Sequence, residues 1–271
     1  MGMLTNYIKI AYRVLSKNKL FTVLNVIGLA LGMSLSLLFI ALLSFLHRYD
    51  DFHPHKNQIY RVTTQLYDKQ ENPRYASAPV GLAQKLKDFT GVEKVVRIHN
   101  LLYGDAVYGE KKIPLNGYFA DPEFFEVFNF PFLRGNKATA LINPNTIVLS
   151  ETEAKTIFGS KEPMGEIVNL DGYGSFVITG IFKDLPENSH LQFGAIASYN
   201  TLLSHKKATF LDNKTGWQSF NGSYIYFRLF ENAEPAHLER FLNQIAKQRY
   251  AKQDIKAAFT LQRLDKIVPG P

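Results

Sequence analysis

Residues 20–46 contain no charged side chain. As one helix, this run reaches roughly 40 Å, more than the ~30 Å hydrocarbon core of a membrane. A soluble core helix of this length would show a polar face, which this run lacks. A cleaved signal sequence would have a shorter apolar stretch before small residues, whereas this run ends in Phe45-Leu46-His47-Arg48. The run therefore predicts a transmembrane helix over 20–46.

Charge is distributed unevenly around this helix. The basic residues that precede it are Lys9, Arg13, Lys17 and Lys19. No acidic residue lies among them, although the chain has 24 Asp and Glu. The positive-inside rule places the N-terminus in the cytoplasm and everything after residue 47 outside. The folded part has no basic stripe, so we expect no nucleic-acid partner.

The segment 1–19 has a second pattern. Apolar residues fall at helical spacing at Leu4, Ile8, Ala11 and Leu15. The basic residues fall on another face of the same helix. This pattern predicts a short cytoplasmic amphipathic helix that can lie along the inner leaflet.

Small residues recur every four positions inside the predicted membrane helix, at Gly28, Gly32 and Ser36. Such a stripe lets another helix approach closely. The partner helix could belong to the same protein or to a second copy. The alternative is a pair of lipid-facing glycines without a partner.

Short strand and helix patterns alternate after residue 47. Runs rich in β-branched and aromatic residues predict strands at 59–67, 92–99, 107–113, 147–149, 167–170, 175–182, 195–198, 224–230 and 258–264. Helical spacing and cap signals predict helices at 79–89, 123–128, 151–158 and 235–250. Asp121 is expected to cap the second of these helices, and Ser150 with Glu153 to form a capping box at the third.

We therefore expect an α+β fold: one transmembrane helix followed by a mixed α+β domain over 47–267. The element order, strand–helix–strand at both ends, suggests two subdomains. The terminal parts 57–115 and 220–267 would form one, and 116–219 would be inserted as the other.

No motif commits the chain to catalysis. It has no phosphate-binding loop and no cysteine. Four polar residues follow the membrane helix: Asp50, Asp51, His53 and His55. They could bind a metal, but their irregular spacing favours a polar collar. Glu187, Ser189 and His190 are catalytic residue types on a segment better explained as a structured loop. We expect no catalytic, cofactor or metal site.

Several ordered motifs resemble one family. They are Asp51-Phe52-His53, Gln58-Ile59-Tyr60-Arg61-Val62, Asp121-Pro122-Glu123-Phe124-Phe125-Glu126-Val127-Phe128, Val148-Leu149-Ser150-Glu151-Thr152-Glu153-Ala154, and Val177-Ile178-Thr179-Gly180-Ile181-Phe182-Lys183-Asp184-Leu185-Pro186-Glu187-Asn188-Ser189-His190. Together with the basic start and the long apolar helix, they resemble the MacB/FtsX-like ABC transporter permeases, especially the form common in Bacteroidota. The resemblance spans nearly the whole chain.

The resemblance implies a MacB-like periplasmic core domain anchored in the bacterial inner membrane. In that family two permease copies pair, and a partner ATPase subunit binds ATP. A periplasmic adaptor or lipoprotein is a further possible partner. The residues Asp184, Pro186, Glu187, Asn188, Ser189 and His190 form a candidate partner-facing or hinge loop.

Two departures from the family pattern are visible. Three further membrane helices are expected after residue 267 and are absent, so we expect this chain to be the N-terminal part of a permease. Relatives often carry an acid where this chain has Gly194. The alternative function is a single-pass, membrane-anchored periplasmic binding or sensor module.

Overall fold

The computed structural model describes residues 2–67, 72–204, 215–253 and 255–268. They form two compact units, one running to Arg48 and the other beginning at Tyr49. The predicted α+β class is confirmed, with one candidate membrane helix before a β-rich domain.

The first unit consists of two helices. They are α1 (Gly2–Lys17) and α2 (Lys19–His47). The 29 residues of α2 are apolar enough to cross a membrane, and none of them is buried. The two helices are separated by a break at Asn18, whose φ of −109° and ψ of 60° are not helical.

The outer unit carries the remaining elements. Its helices are α3 (Leu82–Lys87), α4 (Phe124–Phe128), α5 (Glu151–Phe158), α6 (Tyr199–Ser204) and α7 (Pro235–Tyr250). Its strands are β1 (Ile59–Tyr67), β2 (Arg74–Tyr75), β3 (Val92–His99), β4 (Tyr103–Tyr108), β5 (Lys111–Ala120), β6 (Phe132–Gly135), β7 (Thr146–Ser150), β8 (Ile167–Leu170), β9 (Gly174–Phe182), β10 (Ala195–Ser198), β11 (Ser223–Leu229) and β12 (Lys256–Arg263).

Among the described residues the strands form one continuous sheet with two distinct parts. Strands β10, β7, β9, β8, β4 and β5 pair in that order, and β10 also pairs with β5, so this part closes into a ring. Strands β3, β11, β1 and β12 form an antiparallel sheet. The two parts join where β3 pairs with β5. The subdomain division at residues 115 and 219 stays a prediction.

Successive strand residues point to opposite faces of a sheet, so neighbouring buried residues belong to different clusters. The core consists of three such clusters. Inside the ring lie Ile147, Leu149 and Phe176. One face of the antiparallel sheet, with Val95 and Phe227, packs with α3 and α7. The opposite face and the outside of the ring share a third cluster. This phenylalanine layer is defined by Val96, Val148, Tyr226, Phe124, Phe125, Phe128, Phe130, Phe182 and Phe193.

Strand β12 is an edge strand, and helix α7 satisfies part of its free backbone. The Asn243 side chain accepts from the Phe259 amide at 3.0 Å and donates to the Phe259 carbonyl at 2.9 Å. Glu239 accepts from the Leu261 amide at 3.0 Å. Because an open edge invites pairing with other chains, these contacts protect the sheet.

Most sequence predictions are confirmed in type and position. The strands at 59–67 and 92–99 and the helix at 235–250 match their predicted bounds. Ser150 accepts from the Glu153 amide as a cap, at 3.2 Å. The single strand predicted at 107–113 is wrong: those residues include the end of β4, a two-residue turn in which Gly109 adopts a φ of +59°, and the start of β5.

Candidate functional site

The outer unit begins with a series of tight turns that leads from Tyr49 to β1. Asp50 sits at the first turn with a φ of +58°, a left-handed conformation that Asp tolerates better than most residues. Its amide donates to the Asn188 carbonyl at 2.9 Å, and the His53 amide donates to the Asp50 carbonyl at 3.3 Å. The start of the outer unit is therefore fixed by one backbone hydrogen bond within the turns and by one to the loop between β9 and β10.

The carboxylate of Asp50 is fully buried and organises a polar network. His190 donates from Nδ1 to Asp50 Oδ2 at 2.8 Å, and its amide donates to Oδ1 at 3.2 Å. A carboxylate can only accept, so Nδ1 carries the proton. The neutral ring then accepts at Nε2 from the Tyr226 hydroxyl, at 2.8 Å. One buried side chain thus links the first turn, the β9–β10 loop and β11.

His53 completes the group, which we call the Asp50 network: Asp50, His53, His190 and Tyr226. Its Nδ1 donates to the Phe128 carbonyl at 2.6 Å, while Nε2 lies 3.7 Å from Asp50 Oδ1. The His53 ring packs edge-on against Phe130, with centroids 5.1 Å apart. The network is therefore anchored directly in the phenylalanine layer.

Burial and hydrogen bonding set the charge state of this network. Burial would raise the pKa of Asp50, but the hydrogen bonds from His190, together with the nearby His53 ring, outweigh it and lower the pKa to about 2. Burial lowers the pKa of His190, and Asp50 opposes this only in part. Burial raises the pKa of Tyr226 above its usual range. At neutral pH the ionised carboxylate of Asp50 therefore lies beside a neutral His190.

The C-terminal part of the outer unit packs into the same layer. Strand β12 is followed by a short 3-10 helix, Leu264–Lys266. Leu264 is fully buried there, and Ile267 is almost so. The first and last described segments of the outer unit are therefore held by one cluster.

The residues of the predicted partner-facing or hinge loop have different roles in the structure. Asp184 caps α5: it accepts from the Thr152 amide at 3.0 Å and from the Thr152 hydroxyl at 2.7 Å. Pro186 and Glu187 are exposed. Asn188 and His190 hold Asp50, and Ser189 is buried between them. Four of the six loop residues are thus structural, and the exposed tip Pro186–Glu187 is available to a partner.

The role predicted for Asp121 is wrong. It is not a helix cap, because its carboxylate is taken by Arg97. Arg97 donates to it from Nε at 2.9 Å, from Nη2 at 2.7 Å and from its amide at 2.8 Å. The Arg97 guanidinium also lies 4.2 Å from the centre of the Tyr199 ring. This bidentate pair joins β3, the segment before α4 and α6.

The membrane-region candidates lie in the first unit. A side chain added at Gly28 or Gly32 would meet nothing within 4 Å. Ser36 donates to the Gly32 carbonyl at 2.9 Å, so its hydroxyl is satisfied within the helix. Lys9, Arg13 and Lys17 are exposed on α1, and Lys19 begins α2. Whether the stripe packs against another helix stays a prediction.

The four polar residues after the membrane helix divide into two pairs. Asp50 and His53 are buried, whereas Asp51 and His55 are exposed. In the described part of the chain no group of three acidic or histidine residues is placed to hold a metal ion. The polar-collar reading therefore misses the buried pair. Asp50 is paired with His190, which is distant in sequence, and local spacing does not reveal such a pair.

Gly194, where an acid was expected, leaves room for a neighbouring side chain. A Cβ at this position would lie 2.5 Å from Cγ of Glu153 and 2.7 Å from its Oε1. The Glu153 side chain occupies that space instead. Burial raises the pKa of Glu153, and the negative charge of Asp184 adds to the effect.

Comparison with known proteins identifies the class. An α+β outer domain after a membrane helix, with a matching sequence profile, defines a transporter permease domain. The profile of the MacB-like periplasmic core domain family matches residues 22–245. The chain belongs to this family, which is part of the ABC transporter permeases, and the resemblance drawn from the motifs is confirmed.

Three solved structures share the fold. A domain described as a permease protein from Porphyromonas gingivalis has a TM-score of 0.63 at 20% identity, covering 78% of this chain and 91% of that one. The periplasmic region of MacB from Actinobacillus actinomycetemcomitans gives 0.55 at 19%, with 76% and 90% covered. The extracellular domain of the noncanonic ABC-type transporter YknZ from Gram-positive bacteria gives 0.51 at 18%, with 75% and 99% covered. No curated protein matches the chain.

Asp50→Asn tests the network. Asn keeps the size of the side chain and tolerates the left-handed φ, but it removes the charge that holds His190. Hydrogen bonds to a charged group contribute roughly 1.5–3 kcal/mol each, so we expect the free energy of unfolding to fall by about 2–4 kcal/mol. Urea unfolding of the full chain in detergent, followed by circular dichroism, measures it.

The matched control is the next residue. The Asp51 side chain is 46% exposed and pairs with Lys56, so Asp51→Asn should change the free energy of unfolding by less than about 0.5 kcal/mol. Equal effects of the two substitutions would contradict the assigned role of Asp50.

The outer unit should lose stability in acid. Burial lowers the pKa of His99 to about 4 and that of His190 below its usual value. The unfolded chain binds both protons near pH 6.5, while the folded chain does not. Stability is therefore full above about pH 6.5 and falls as the pH drops toward 4, by about 3 kcal/mol for His99 alone. The stabilisation from ionised Asp50 is retained until the pH falls below about 4, because the pKa of Asp50 is lowered in the folded chain.

Urea midpoints between pH 7.5 and 4.5 measure this loss. His99→Gln should flatten the slope, whereas His237→Gln should leave it unchanged because the His237 side chain is 58% exposed. A wild-type midpoint that stays constant over this range would refute the expectation.

Proposed function

We propose that this chain is the N-terminal part of the permease subunit of an ABC-type exporter or mechanotransmission complex. A partner ATPase binds and hydrolyses ATP in the cytoplasm, and the outer domain moves in response. The chain lies in the inner membrane with its N-terminus in the cytoplasm. It holds no cofactor of its own. Family membership and the apolar helix before the outer domain support this proposal.

The observation that carries the proposal is the buried start of the outer unit. Only Arg48 and Tyr49 separate the end of α2 from Asp50. A flexible Gly/Ser linker at this point would absorb motion, because such a chain has no fixed conformation. Here the chain instead enters two backbone hydrogen bonds and a buried charged network at once. A displacement of α2 therefore reaches the outer unit within a few residues.

The network also distributes that displacement. His190 belongs to the β9–β10 loop beside the ring, and Tyr226 belongs to the antiparallel sheet. His53 bonds to Phe128 at the end of α4. A pull on Asp50 thus acts on both parts of the sheet through the phenylalanine layer. In this proposal the outer unit moves as one body and does not unfold locally.

Partner surfaces follow from what remains exposed. We propose that the stripe Gly28, Gly32 and Ser36 packs against another helix of the permease or against a second copy in a dimer. The exposed tip Pro186–Glu187 is proposed to face a periplasmic adaptor or lipoprotein. The cargo is left open among antimicrobials, peptides, lipoproteins and cell-wall processes.

The test uses the full-length gene product from membranes. A nucleotide-binding subunit should copurify with it, and two differently tagged copies should copurify with each other. Gly28→Leu with Gly32→Leu should break the second association. If no nucleotide-binding subunit copurifies, the chain acts as a single-pass anchored sensor and the proposal fails.

Coupling is tested by distance measurement. The chain has no cysteine, so Glu231→Cys, on an exposed turn, gives one spin label per copy. We expect the label-to-label distance in the dimer to shift between the ADP- and ATP-bound states. The shift should persist with Asp51→Asn and be lost or broadened with Asp50→Asn, measured where both variants remain folded. An unchanged shift with Asp50→Asn would contradict mechanical coupling through the network.

A further inference from the structure

The N-terminal helix α1 carries a pattern that the transport proposal does not use. At 100° per residue, its polar residues fall in an arc of about 120° and its apolar residues in the remaining arc of about 200°. The polar arc includes Thr5, Asn6, Lys9, Arg13, Ser16 and Lys17. The exposed apolar side chains are Met3, Tyr7, Ile8, Ile10, Tyr12, Val14 and Leu15.

Geometry at the break turns α1 away from the axis of α2. Thr22 donates from Oγ1 to the Leu15 carbonyl at 2.9 Å. Positions seven apart on a straight helix are separated by roughly 10 Å along the axis, so this direct bond requires a sharp bend. Asn18, between them, has non-helical backbone angles. The helix α1 is therefore a separate segment and not an extension of the membrane span.

Connectivity places α1 at the membrane surface. Its last residue is followed by Asn18, and α2 begins at Lys19. The apolar span thus starts within one turn of the end of α1. Burial of these apolar side chains would stabilise α1 by about 25 cal/mol for each Å² of apolar surface removed from water. The membrane interface is the nearest medium that covers it.

We propose that α1 binds anionic lipid headgroups. Its apolar arc lies among the acyl chains, and Lys9, Arg13 and Lys17 bind the phosphate groups of acidic phospholipids. Charge complementarity favours this partner, because α1 has no acidic residue. Tyr7 and Tyr12 are of the residue type enriched at this depth of a bilayer. The proposal rests on membrane anchoring alone, so it can fail without affecting the transport function.

The test reads the depth of α1 in vesicles that hold the full chain. Ala11 lies at the centre of the apolar arc and Asn6 in the polar arc, and each becomes the single cysteine of the chain when substituted. Nitroxide labels at Ala11→Cys and Asn6→Cys are compared in phosphatidylcholine and in phosphatidylcholine with about 30% phosphatidylglycerol. With the acidic lipid, the label at 11 should be accessible to oxygen and the label at 6 to a water-soluble nickel complex.

Charge variants isolate the headgroup contribution. Each basic residue near an anionic surface contributes about 1 kcal/mol, so Lys9→Gln, Arg13→Gln and Lys17→Gln together should shift the docking equilibrium on the order of a hundredfold. The control exchanges the exposed Lys85 and Lys87 of α3 for Gln and should change nothing.

Two results would overturn the proposal. Equal docking in both vesicle types, by wild type and by the triple variant, would refute headgroup binding. A label at 11 that stays in water in both vesicle types, and becomes protected only when the ATPase subunit is added, would show that α1 binds protein and not lipid.

Discussion

A buried carboxylate controls how the outer unit begins. Asp50 is held in a left-handed turn, its amide is bonded to Asn188, and its charge is balanced by hydrogen bonds from His190. A charge in this position is costly unless every bond is made, so the turn, the loop and the β11 tyrosine must be in place together. The rest of the proposed mechanism depends on this point, because a loosely held first turn would not transmit a displacement of α2.

The phenylalanine layer connects the Asp50 network to both parts of the sheet. In the part of the chain that the structure describes, the ring and the antiparallel sheet pair directly only at the short β3–β5 contact, so the layer supplies the side-chain contact between them. Aromatic side chains bury large areas and prefer offset-stacked or edge-to-face arrangements, and both kinds of pair occur in this layer. Arg97 and Asp121 add a bidentate pair beside it. The two parts of the sheet are thus held together near the Asp50 network. In the proposed mechanism, a displacement of α2 acts first on this network.

Local patterns predicted much of this fold, and long-range polar contacts escaped them. Alternation and cap signals located β1, β3 and α7 because their periodicity is decided within a few residues. The hairpin at 107–113 was missed although Gly109 and the charged residues 110–112 that follow it were a local signal for a turn. Asp50 was read as part of a solvated collar, and Asp121 as a helix cap. Their partners, His190 and Arg97, lie 140 and 24 residues away in sequence, and no local pattern reports such pairs. Family motifs marked the segments but not their contacts.

Residue-resolved hydrogen exchange of the full chain tests the central claim most directly. The amide of Asp50 donates to Asn188, and the amide of His190 donates to Asp50. If the first turn is anchored as described, both amides should exchange as slowly as those of the buried strand β7. Exchange of the Asp50 amide at the rate of an exposed loop, while β7 stays protected, would show that the outer unit hangs on a flexible tether and would contradict the account.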